Sequence, residues 1–117
     1  QIEETREGLE KYVTLNLHSK LFGNREGDRK VDTEIHEKLI QLNWLSFSHM
    51  EIKDKVAAET ASMKLACTEL KKINKYKAPK DKLVCIRNCS KVVYKMLAAG
   101  SEGAASGADD FLPLLII

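Results

Sequence analysis

The sequence predicts an all-α fold, a layered helical bundle of about five helices. Three observations carry this expectation. Apolar residues recur every three or four positions over several long stretches. No run alternates apolar and polar residues as a strand would, and no short repeat appears. Glycine or proline punctuates the gaps between the periodic stretches. The 117 residues, 44% hydrophobic and 31% charged, suit one domain and exclude wholesale disorder. Every apolar run falls far short of the roughly 20 residues a membrane span needs, so insertion is excluded as well. The chain opens on Gln1 and stops at Leu114-Leu115-Ile116-Ile117. The expectation is a segment of a longer chain, incomplete at the C-terminus of its bundle.

The first helix is expected over Thr5 to Phe22, where Leu9, Val13, Leu17 and Leu21 form one stripe flanked by Tyr12 and Phe22. Residues 23–32, with two glycines among charges, read as a surface loop. Asp32 or Thr33 is the expected cap of a second helix with Ile35, Leu39 and Leu42 inward, ending near Trp44-Leu45. Trp44, the single tryptophan, is expected in the core or a groove wall, and Ser46 to His49 read as a connection.

A third helix is expected from Ile52 to Lys75, with Val56, Thr60, Met63, Cys67 and Leu70 on one face. Pro79 disfavours helix at Ala78 and suits the start of a new one. The fourth helix, about Lys80 to Ala99, has one stripe of Leu83, Ile86, Val93 and Leu97. A second stripe of Val84, Cys85, Cys89, Val92 and Met96 predicts packing on more than one side. Gly100 stands where a C-cap glycine belongs, and 101–108 read as a flexible connection. Asp109-Asp110 then cap a last segment, Phe111 to Ile117, that is apolar all round. It reads as the start of a buried central helix.

The net charge of +2 conceals an asymmetry, since residues 64–95 hold 10 basic and 2 acidic side chains. That excess suits an acidic partner or an anionic membrane. No aromatic residues alternate with the lysines, so nucleic acid is not an expected partner. Cys67, Cys85 and Cys89 are odd in number, lack zinc or disulfide spacing, and read as buried thiols in a reducing, cytoplasmic setting. No P-loop, GxSxG or HExxH motif occurs, and His18, His36 and His49 are scattered. Hydrolase and metalloenzyme readings therefore lack their parts, and no cofactor is expected. What remains is the boundary at Asp109-Asp110, where one carboxylate suffices to cap a helix and the other is spare.

Tyr76-Lys77-Ala78-Pro79-Lys80-Asp81-Lys82-Leu83-Val84-Cys85-Ile86, then Asn88-Cys89, then Gly107-Ala108-Asp109-Asp110-Phe111-Leu112-Pro113 resemble the vacuolar-protein-sorting-nine domain. That domain is the catalytic module of Rabex-type guanine-nucleotide exchange factors for endosomal Rab GTPases of the Rab-five subfamily. The resemblance is specific over 76–117 and extends as a helical pattern over nearly the whole chain. It implies that this is not an enzyme with covalent chemistry but a regulator of a Rab small GTPase, cytoplasmic and recruited peripherally to endosomal membranes. It maps the acidic finger of the family to Asp109, and GTPase contacts to Asp110 and Pro113. Ile117 stands where the family usually has tyrosine, and the family pattern continues into two further helices. Hence 1–117 is expected to be a partial exchange domain, weak or inactive by itself. The competing expectation is a non-enzymatic helical module that binds an acidic partner or anionic membrane through 64–95.

Overall fold

The computed structural model describes residues 2–100 and 107–117. Among them the chain is all-helical, with six α-helices and one 3-10 turn. They are α1 (Ile2–Leu21), α2 (Glu26–Gln41), α3 (Asp54–Ala57), α4 (Thr60–Lys71), the 3-10 turn Lys72–Lys75, α5 (Pro79–Gly100) and α6 (Ala108–Ile116).

The core is built around α5. Val93 and Met96 are its most fully buried side chains, and Cys89, Leu97, Ala66 of α4, Val56 of α3 and Leu114 of α6 complete the cluster. Burying side chains of this size stabilises by roughly 1.5–3 kcal/mol each. The two expected stripes on α5 are met in part: Cys85, Cys89, Val93, Met96 and Leu97 point inward, while Leu83, Val84 and Ile86 are exposed. On α4 the expected Met63 and Leu70 pack against the core, but the fully buried residue is Ala66 and not its neighbour Cys67, which is exposed. A methyl group at the contact lets the two helix axes approach closely, which a bulkier side chain there would prevent.

The expected helix over 52–75 is broken. Glu59, with ψ of 50°, separates α3 from α4, and the Ser62 hydroxyl donates to its carboxylate at 3.2 Å. The break frees Val56 to face α5 independently of the α4 face. There Gly100 passes so close that a Cβ on it would collide with Val56 Cγ2. Gly100 thus ends α5 as a buried packing residue, which is the reason for a glycine here. Of the expected connection 101–108, residues 101–106 lie outside the described residues, and Ala108 already belongs to α6.

The N-terminal half departs further from expectation. Residues 26–32, read as loop, are the first turns of α2, whose opening acids Glu26 and Asp28 favour the helix dipole. Capping by Asp32 or Thr33 therefore does not occur. The corner before α2 is closed by Gly23, at φ +64°, and by Arg29, whose Nε donates to the Gly23 carbonyl at 2.8 Å. Neither α1 nor α2 has a buried residue, so their apolar stripes are exposed, and Trp44 is 63% exposed rather than in a core. α1 is held to the first turn of α5 by Lys11–Asp81 at 2.8 Å, by Glu7–Lys80, and by Lys82 Nζ 5.0 Å from the Phe22 ring. Surface ion pairs of this kind contribute little.

The result is an open molecule. Its radius of gyration is 17.6 Å, against about 13 Å for a compact domain of this length. Its accessible surface is 9317 Å², where size scaling gives roughly 6400 Å².

Candidate functional site

α6 begins at Gly107, which has extended backbone and no side chain with which to cap. The cap comes from within the helix. Asp110, at the third helical position, accepts a hydrogen bond from the Gly107 backbone N–H at 3.2 Å. Asp109, one residue earlier, makes no hydrogen bond or ion pair among the described residues, and its carboxylate is exposed. Both acids sit in the first turn, where the helix dipole favours negative charge. Pro113 adds a second effect. In a regular helix the N–H of residue 113 would donate to the carbonyl of residue 109, and proline has none. The Asp109 carbonyl therefore lacks its usual helical donor, and its carboxylate is unpaired among the described residues.

The helix is seated by Leu114, which is buried, and by Phe111, whose ring stacks on Tyr94 of α5 at 4.6 Å and 18°. Such a ring pair contributes about 0.5–1.5 kcal/mol beyond area burial. The expectation of an all-round buried helix is not met: Leu112, Leu115, Ile116 and Ile117 are exposed.

Asp109, Asp110 and Pro113 come together on one cavity of about 230 Å³, closed by Leu114, Leu97, Val56 and residues 50–53. The wall of 50–53 follows the expected connection 46–49 and includes Ile52 and Lys53, expected as the start of the third helix but lying before α3. It is a built turn. The Ile52 N–H reaches back to the Phe47 carbonyl at 3.0 Å with Glu51 between them at φ 54°, the arrangement that ordinarily closes a helix with glycine. A glutamate held there costs about 1–3 kcal/mol. The corner is pinned by His49, whose Nδ1 accepts the Ser46 backbone N–H at 3.1 Å and whose ring meets the edge of Trp44 at 5.0 Å. Nothing in the local sequence announces it, because its register is set by Ile52 packing on the α5 core. With Glu51, Asp109 and Asp110 against Lys53, the cavity is acidic and suits a cationic group on a partner.

Elsewhere Glu69 bridges α4 and α5, taking the Lys72 ammonium at 2.5 Å and the Asn88 amide at 3.5 Å. The Lys72 hydrogen bond holds its carboxyl below the usual range, against a desolvation effect that would raise it. Burial pushes the Cys89 thiol up. Cys85 and Cys89 are buried as expected, whereas Cys67 is not. Among the described residues no helix is long and apolar enough to cross a membrane.

Comparison with known proteins places this geometry in context. The family model of the vacuolar sorting protein 9 (VPS9) domain matches residues 63–117. Vacuolar protein sorting-associated protein 9A of Oryza sativa subsp. japonica is 43% identical over 120 residues, covering 99% of this chain and 25% of the relative. The protein of the same name from Arabidopsis thaliana is 38% identical, covering 99% and 23%. The Rab5 GDP/GTP exchange factor of Homo sapiens is 28% identical over 119 residues, covering 99% and 24%. The chain thus spans about a quarter of the length of these relatives.

Proposed function

We propose that 1–117 is part of a guanine-nucleotide exchange domain acting on Rab GTPases of the Rab5 type; the match of residues 63–117 to the VPS9 family model supports this reading. The similarity to the Rab5 GDP/GTP exchange factors supports the choice of partner. In this reading the protein is a regulator of a GTPase with no covalent chemistry of its own, working at endosomal membranes to which it is recruited.

Asp109 is the acidic finger. Its carboxylate enters the nucleotide site of the GTPase and pairs with the lysine that otherwise holds the phosphates. Negative charge placed there competes with the β-phosphate and disturbs the Mg²⁺ site, so GDP leaves faster. Exchange is accelerated by favouring the nucleotide-free state of the partner. Asp110 fixes the start of α6, and Pro113 shapes the adjoining wall of the cavity. The observation that carries the proposal is this division between neighbouring acids: one is spent on the cap and the other is free at the rim of an acidic cavity.

Release of a fluorescent GDP analogue from a Rab5-subfamily GTPase tests it, using the full-length parent protein and the 117-residue chain. Asp109→Ala in the parent is expected to slow release roughly 10- to 100-fold, the worth of one charge-assisted hydrogen bond. The 117 residues alone are expected to be weak. Undiminished activity of the Asp109→Ala parent would overturn the assignment.

A further inference from the structure

A run of lysines lies at the start of α5, the opposite end of the helix from Leu97 of the Asp109 cavity. Lys71, Lys72, Lys75 and Lys77 crowd the corner formed by the end of α4, the 3-10 turn and the approach to α5. Lys72 is paired with Glu69, but Lys71, Lys75 and Lys77 are exposed and have no partner among the described residues. The corner is braced from behind, since Lys82 Nζ donates to the Ile73 carbonyl at 3.0 Å. Between the lysines stands Tyr76, 43% exposed.

We infer that this lysine corner is a contact surface for an anionic lipid bilayer, and that it holds the Asp109 cavity away from the membrane. Charge complementarity names the class of partner, and three details favour lipid over nucleic acid. The cations of 64–86 are all lysines, which attract a diffuse anionic surface, and no arginine fork is present there for base edges or bidentate phosphate contacts. The corner is a protruding helix-to-helix turn. The small cavity behind it includes Glu69 and Asp81, so it does not suit a phosphate backbone. Tyr76 has the amphipathic ring favoured at headgroup level, and flexible lysine stems extend past it to the surface.

The geometry gives the contact a use. α5 has 22 residues, about 33 Å at 1.5 Å per residue. It carries the corner at its start and Leu97, which lines the Asp109 cavity, near its end. A bilayer touching one end leaves the other facing outward.

Flotation of the 117-residue chain with vesicles of phosphatidylcholine, alone or mixed with phosphatidylserine, tests this independently of any exchange activity. Binding is expected only to the mixed vesicles, and it should vanish near 1 M salt, where the Debye length is about 3 Å. Lys71→Gln/Lys75→Gln/Lys77→Gln should weaken it on the order of 100-fold. Lys20→Gln/Lys30→Gln/Lys38→Gln, with the same loss of charge from α1 and α2, should retain most of it. Circular dichroism checks that both variants keep their helix content. Absence of binding, equal binding to neutral vesicles, equal loss in both variants, or binding to an oligonucleotide in place of vesicles would each overturn the inference.

Discussion

Asp110 closes the first turn of α6 by accepting the backbone N–H of Gly107 at 3.2 Å. Removing this bond is expected to loosen the helix that presents Asp109. Asp110→Ala should cost about 1 kcal/mol, read as a lower midpoint in thermal unfolding. Asp110→Asn, which keeps an acceptor, should lose much less. Asp109→Ala removes no such bond and should leave the midpoint nearly unchanged, so the two neighbours separate by stability before any activity is measured.

Gly100→Ala sets two effects against each other. Alanine is favoured in a helix by about 1 kcal/mol, but its methyl would strike Val56, and overpacking of this kind costs about 1–3 kcal/mol or more. Net destabilisation is expected. Val56→Ala alone should also destabilise, by roughly 1.5–3 kcal/mol, because Val56 is almost fully buried. The double variant should lose less than the two single losses together. Simple additivity in denaturant unfolding would contradict the contact.

The thiols should divide by exposure. Iodoacetamide is expected to label Cys67 rapidly in the native chain, and Cys85 and Cys89 only on unfolding. The pH dependence follows from Cys89, whose proton is held more tightly in the folded state, chiefly through desolvation. Above the ordinary thiol value of 9.0 the unfolded chain has lost a proton that the native chain keeps. The stability contribution is therefore complete below that value and is lost as pH rises through the folded one. Unfolding free energy should fall on the alkaline side, with a shallower slope in Cys89→Ala.

Hydrogen exchange should sort the helices into two groups. Amides of α1 and α2, which contain no buried residues, are expected to exchange much faster than those around Val93 and Met96 in α5. Equal protection across the chain would contradict the architecture described.

Helical periodicity was enough to place α1 and α5 within a few residues, and Pro79 marked the start of α5 because its ring suits a first helical turn. The same periodicity named Val56, Met63, Leu70 and Val93 as inward, as they are, but put Cys67 inward in place of Ala66 and gave α1 and α2 buried faces that they lack. Cys67 and Ala66 are adjacent, and only the distance of α4 from α5 decides that the smaller one turns inward. Leu9, Ile35 and Trp44 have the character of core residues, but a stripe records capacity for burial and does not supply a neighbour. In the candidate site, Asp109, Asp110 and Pro113 were named through the family resemblance, and they line one cavity. The opposite wall, with Glu51 in a left-handed conformation, was not legible, because tertiary packing imposes a conformation that local preference would assign to glycine.

The close pass of Gly100 over Val56 makes the two positions a single unit of sequence variation. A lineage that acquires a side chain at 100 must first, or at once, shrink the one at 56, so the order of substitutions is constrained even where the final pair is tolerated. Among homologous sequences this would leave a paired signature between a short helix and the end of a long one, at the base of the cavity that holds Asp109.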